Sequence, residues 1–152
     1  MNSKRRNPPK YPFQEWSESM PFPKTCDLCT YGCQCESPVG LIPLAKGRVL
    51  IAGLGMGWLT RRVLEKTEVS HVVQVELEPE IIRVFGQPLI EMFPGKISFV
   101  SQNVWKYLEG VDISEFDTIL FDIWPGYRDA PDDAKFKKLK RKHPNVWGWG
   151  DY

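Results

Sequence analysis

Long apolar runs are missing from this chain: nowhere in its 152 residues does a stretch approach the ~20 that a membrane span needs. Lys4, Arg5 and Arg6 stand near the start without an apolar segment behind them, so no secretory signal is expected. An excess of one charge is missing too. Twenty Lys and Arg against nineteen Asp and Glu leave +1, which gives no overall field to attract a polyanion. The length leaves no room for a second domain, and no internal repeat is visible. A soluble, cytoplasmic chain with one modest core is the expectation.

Cysteine is scarce but concentrated. All four residues, Cys26, Cys29, Cys33 and Cys35, fall within ten positions. In a reducing compartment such thiols stay free to bind metal, and four thiolates at this density can close a tetrahedral Zn²⁺ site. An iron–sulfur cluster and unliganded loop thiols are the alternatives. Proline is unevenly spread as well. Pro8, Pro9, Pro12, Pro21 and Pro23 lie among Lys, Arg and Ser, which reads as an extended arm over residues 1–25. The cysteine-bearing lead-in covers 26–46, a regular core 47–130, and a basic helix with a Trp-rich tail 131–152.

The core alternates between two periods. Arg48–Ala52 is a short apolar run ending in glycines, as a buried parallel strand should be. Trp58–Lys66 has helical spacing, with Leu59 and Val63 on one face. Val72–Glu76 reads as a second strand. A helix follows from Pro79 toward Phe93, with Pro88 expected to kink or break it. Lys96–Val100, Val104–Leu108 and Thr118–Trp124 read as strand, helix and strand. This order predicts an α/β fold with a doubly wound, Rossmann-like parallel sheet of about four strands.

Gly53, Gly55 and Gly57 follow the first strand directly and open the first helix. Glycines suit a sharp turn whose backbone must approach a ligand closely. An acid, Glu76, closes the second strand, where a carboxylate can accept hydrogen bonds from ribose hydroxyls. A third glycine at the spacing of pyrophosphate-binding loops would fall on Leu59 or Thr60, which disfavours a dinucleotide.

The segments Arg48-Val-Leu-Ile-Ala-Gly-Leu-Gly-Met-Gly57 and Val75-Glu-Leu-Glu-Pro-Glu-Ile-Ile82 resemble the class I S-adenosylmethionine-dependent methyltransferase superfamily, and within it the spermidine synthase-like branch. The resemblance runs from about Gly47 to Tyr127. It implies that Gly53, Gly55 and Gly57 back the methionine part of S-adenosylmethionine, that Glu76 binds ribose, and that Leu77 and Val104 wall the adenine. Asn103 falls where the family holds the adenine amino group; it is equally placed to be the N-cap of the following helix. Asp122, at the end of the fourth strand, would touch the cofactor's amino group or the substrate. Asp122 and Tyr127 are thus the candidate catalytic residues. Trp124 and Tyr127 would line an aromatic wall, or Trp124 would be core.

Methyl transfer to an unknown acceptor is the activity implied. Aminopropyl transfer is the alternative, but Met56 and Ile123-Trp-Pro stand where that branch carries acids. A non-catalytic, S-adenosylmethionine-binding regulatory module is the third reading. No strand is evident after Asp122, so the fold reads as truncated, with Thr118–Trp124 as an open edge inviting a homodimer or a partner chain. Lys135–Lys142 carries six basic residues in eight, most simply a solvated face but also a candidate nucleic-acid patch with Lys4, Arg5, Arg6 and Lys10.

Overall fold

The computed structural model describes residues 40–124 and 130–148. Five parallel strands form one sheet: β1 (Gly47–Ala52), β2 (Val69–Glu76), β3 (Ile97–Ser101), β4 (Thr118–Phe121) and β5 (Val146–Gly148), in the order β3-β2-β1-β4-β5. The helices are α1 (Trp58–Leu64), α2 (Pro79–Ile81), α3 (Gln87–Met92), α4 (Val104–Glu109) and α5 (Ala134–Lys142).

Alternation along the strands sorts the core into two layers. Val49, Ile51, Val72 and Leu120 face Leu59, Val63 and Leu64 of α1 and Leu89 of α3. Leu50, Ala52, Val73, Val75, Ile119 and Phe121 face Val104 and Leu108 of α4 and Phe136 and Leu139 of α5. β1, β2 and β4 are therefore covered on both faces, which explains why β1 and β4 read as nearly unbroken apolar runs, whereas Ser98 and Ser101 of the edge strand β3 are exposed. Between α2 and α3, residues Ile82–Gly86 wind as a π-helix. Pro88 stands inside the continuous helical stretch 79–92, where its missing N–H removes a helical bond, and the winding changes to π in the turn just before it.

Two expectations about the fourth strand are overturned. It ends at Phe121 rather than Trp124, because β1, its partner, leaves the sheet at Gly53 after the pairing Ala52↔Phe121. It is also not an edge. Val146, Trp147 and Gly148 pair in parallel with Ile119, Leu120 and Phe121, and the Ile119 amide donates to the Asn145 carbonyl at 2.9 Å. The sheet thus carries a fifth strand beside the four legible in the sequence, and the basis for a dimer through the β4 edge is gone. Gly148 makes this pairing possible: a Cβ there would lie 2.8 Å from both Ala130 Cβ and Phe136 Cζ. No described helix is long and apolar enough to cross a membrane.

Candidate functional site

In an open parallel sheet, ligands bind outside the carboxyl ends of the strands. The glycine loop lies there, between β1 and α1. Gly53 (φ +91°) donates its N–H to the Val75 carbonyl at 2.8 Å, and a Cβ on it would overlap the Asp122 carbonyl oxygen. Only glycine fits. Gly57 (φ +79°) is the N-cap of α1 and donates to the Leu54 carbonyl at 2.7 Å. Gly55 (φ +53°) differs from Gly53: a Cβ there would meet no atom of the described residues within 4 Å, so its outer side is open among them.

Glu76 is buried and holds the loop in place. Its Oε1 accepts from the Leu54 N–H and its Oε2 from the Glu78 N–H, both at 2.9 Å. Each oxygen keeps a second lone pair for a ligand hydroxyl. Beneath the loop lies a buried polar pair that sequence reasoning missed. The Thr60 hydroxyl donates to Gln74 Oε1, and Gln74 Nε2 donates to the carbonyls of Ile51 (3.2 Å) and Val75 (3.3 Å). It ties the first turn of α1 to β1 and β2. A polar residue at the centre of the Val-Val-Gln-Val run was the available signal.

The half-buried Asp122 leaves β4 beside Gly53. Its backbone N–H donates to the Ala52 carbonyl at 2.9 Å, while among the described residues its carboxylate accepts no hydrogen bond. Burial without a partner pushes its pKa up to about 6. Three large apolar side chains surround this end of the sheet in exposed positions: Met56 at 43%, Leu77 at 59% and Ile123 at 36%.

Other expected residues fall elsewhere. Val104 is buried in the α4–α5 layer, so of the two adenine walls only Leu77 is presented openly. Asn103 caps α4: its Oδ1 accepts from the Trp105 N–H at 2.9 Å and the Lys106 N–H at 3.4 Å. Trp124 belongs largely to an aromatic cluster, 5.8 Å from Phe121 and 5.2 Å from Phe136 between ring centres. Its Nε1 donates to Asp133 Oδ2 at 3.1 Å, and Asp133 in turn N-caps α5. Tyr127 and the cysteines Cys26, Cys29, Cys33 and Cys35 lie outside the described residues. Among the described residues, no three His, Cys, Asp or Glu side chains converge to hold a metal.

No protein-family model and no curated protein sequence matches the chain. Solved structures do. The 23S rRNA methyltransferase ErmE superposes on 73% of this chain and 42% of its own, with a TM-score of 0.52 and 19% identity. A dimethyladenosine transferase from Plasmodium falciparum does so over 74% and 37%, with a TM-score of 0.53 and 14% identity. Spermidine synthase from Thermotoga maritima is 27% identical over 57% of this chain and 31% of its own, but its TM-score of 0.45 adds nothing to the fold assignment. The chain spans less than half the length of each of these proteins. The chain shares with the two methyltransferases a Rossmann-like parallel sheet.

Proposed function

We propose that the chain binds S-adenosylmethionine over Gly55 and acts as a methyltransferase on an acceptor still to be identified. The observation that carries this reading is the contrast within one loop: Gly53 is closed off by the Asp122 carbonyl, whereas Gly55 opens outward among Met56, Leu77 and Ile123. In this reading Glu76 accepts from the ribose hydroxyls through its remaining lone pairs, and Leu77 covers one face of the adenine. The NH₂ of Asn103, whose oxygen serves α4, donates to an adenine ring nitrogen. Asp122, without a partner among the described residues, pairs with the cofactor's ammonium. Methyl transfer is an in-line displacement at a sulfonium, so holding the acceptor at the methyl group supplies much of the rate. Asp122 and Tyr127 are the residues proposed to do so. Aminopropyl transfer has no support at the β4 end, where Ile123 and Trp124 follow Asp122 in place of a second acid.

Calorimetry with S-adenosylmethionine and S-adenosylhomocysteine tests the site. The wild type should bind. Gly55→Ala should still fold, at about 1–2 kcal/mol of left-handed backbone strain, yet lose at least about tenfold in affinity as its methyl enters the ligand's space, equal to about 1.4 kcal/mol. A folded wild type that binds neither compound refutes the reading. Zn²⁺ at Cys26, Cys29, Cys33 and Cys35 is proposed from the spacing of these thiols, in a cytoplasmic setting that keeps them reduced. Elemental analysis should find about one zinc per chain; a metal-free, stably folded chain removes it.

A further inference from the structure

We propose that the solvent face of α5 docks the phosphate backbone of a nucleic acid strand. Phe136 and Leu139 bury one side of this helix against the sheet. At 100° per residue, Lys137, Arg141, Lys138, Lys142 and Lys135 then fill an outer arc of roughly 160° over a length of about 10 Å. All five are exposed, and none forms an ion pair among the described residues. Among the described residues the exposed acids near its ends are Asp132 and, beside His143, Asp112, while Asp133 is engaged by the Phe136 N–H and Trp124. The chain's near-neutrality hides this segregation. Six of its twenty cations stand on α5, leaving fourteen cations against nineteen acids elsewhere.

Folding does not account for the arrangement. Cations in the last turn complement the helix dipole, which covers Lys140, Arg141 and Lys142, but Lys135, Lys137 and Lys138 sit in the half where the dipole disfavours them. Like-charged pairs four apart, Lys137 with Arg141 and Lys138 with Lys142, repel each other as well. A run of phosphates removes both penalties. Two of the lysines are already held in place: Lys140 Nζ lies 4.7 Å from the centre of the Trp147 ring and Lys135 Nζ 6.0 Å from that of Trp105. A lipid surface fits less well, because none of the exposed large apolar side chains (Met56, Leu77, Ile90 and Ile123) is on α5, so the helix has nothing to insert. The hydrogen bond from Trp124 to Asp133 joins the start of α5 to the end of β4, which places the Lys135 end of the basic face next to the carboxyl edge of the sheet.

This docking does not require cofactor binding, and fluorescence anisotropy of a labelled single-stranded RNA tests it on the full chain. Binding is expected at low salt, with a slope of log affinity against log salt of roughly −3 to −4, from about five phosphate contacts at about 0.7 each. The triple variant Lys135→Gln, Lys137→Gln, Lys138→Gln should bind at least about tenfold more weakly, with a slope shallower by about 2. Arg83→Gln, on the other face and paired with Glu80, should bind as the wild type does. A single-stranded DNA of equal length should compete equally, since phosphates are read and the sugar is not. The proposal is overturned if RNA fails to bind at low salt, if the triple variant matches the wild type, or if vesicles of anionic lipid bind where RNA does not.

Discussion

Two carboxylates flank the glycine loop, and they are held in opposite ways. Glu76, at the end of β2, spends both oxygens on backbone N–H groups of Leu54 and Glu78. Asp122, at the end of β4, accepts nothing among the described residues and has its pKa raised to about 6 by burial alone. The first is a strut as well as a candidate ligand contact; the carboxylate of the second performs no structural task among the described residues. A protein that buries an acid without a partner loses stability at neutral pH, so the arrangement makes sense when a cation arrives.

Removing the strut should have the largest effect. Glu76→Ala deletes two charge-assisted hydrogen bonds, so we expect about 2–4 kcal/mol off the unfolding free energy and S-adenosylmethionine binding weaker by at least roughly 1–3 kcal/mol. Urea unfolding and calorimetry on the same preparation separate the two losses. Unchanged affinity would leave Glu76 a strut only.

Asp122→Asn should behave in the opposite sense. The folded-state pKa is raised, so the stability associated with the neutral carboxyl is complete at low pH and is lost as pH climbs through about 6. Because Asn stays neutral, the variant should match the wild type near pH 4 and exceed it near pH 8, by no more than about 3 kcal/mol. Its affinity for the cofactor should fall at the same time, and wild-type affinity should rise between pH 5 and 7 as Asp122 ionises. Equal stability of the two proteins at both pH values would show that Asp122 is not penalised by burial.

Smaller effects probe how the loop is supported. Thr60→Val alone leaves Gln74 Oε1 without its donor and should cost about 1–3 kcal/mol; adding Gln74→Leu should restore most of that, since an apolar pair of similar shape is nearly neutral. If the double variant then binds the cofactor more weakly than the wild type, the pair positions the loop rather than merely filling the core. The smallest change is expected from Asn103→Ala, about 1 kcal/mol for a lost N-cap. Asn103→Ser keeps the cap, so an affinity loss shared by both variants in calorimetry would mark contact with adenine.

Much of this fold is legible from local pattern. Strands with nearly continuous apolar runs, a helix stripe after each and glycines at one crossover define a parallel sheet, and β1 to β4 fall in the chain close to where that pattern puts them. The loop is legible because its left-handed backbone is one that glycine tolerates, and the position of Glu76 because an acid ends an otherwise apolar strand. β5 was not, since three residues ending in glycine carry little periodicity, and their strand character comes from pairing with β4. Nor was the identity of Asn103 as a cap, because the same residue type serves a helix end and an adenine equally well.

What the chain's order of residues determined alone is therefore the crossover pattern and the need for glycine at the turn, both consequences of short-range sterics and alternation. What only tertiary structure decided is which side of that turn is open, which acid is already occupied and which strand closes the sheet. These depend on partners far apart in the chain: Asp122 against Gly53, Leu54 against Glu76, Val146 against Ile119. No local pattern encodes such contacts.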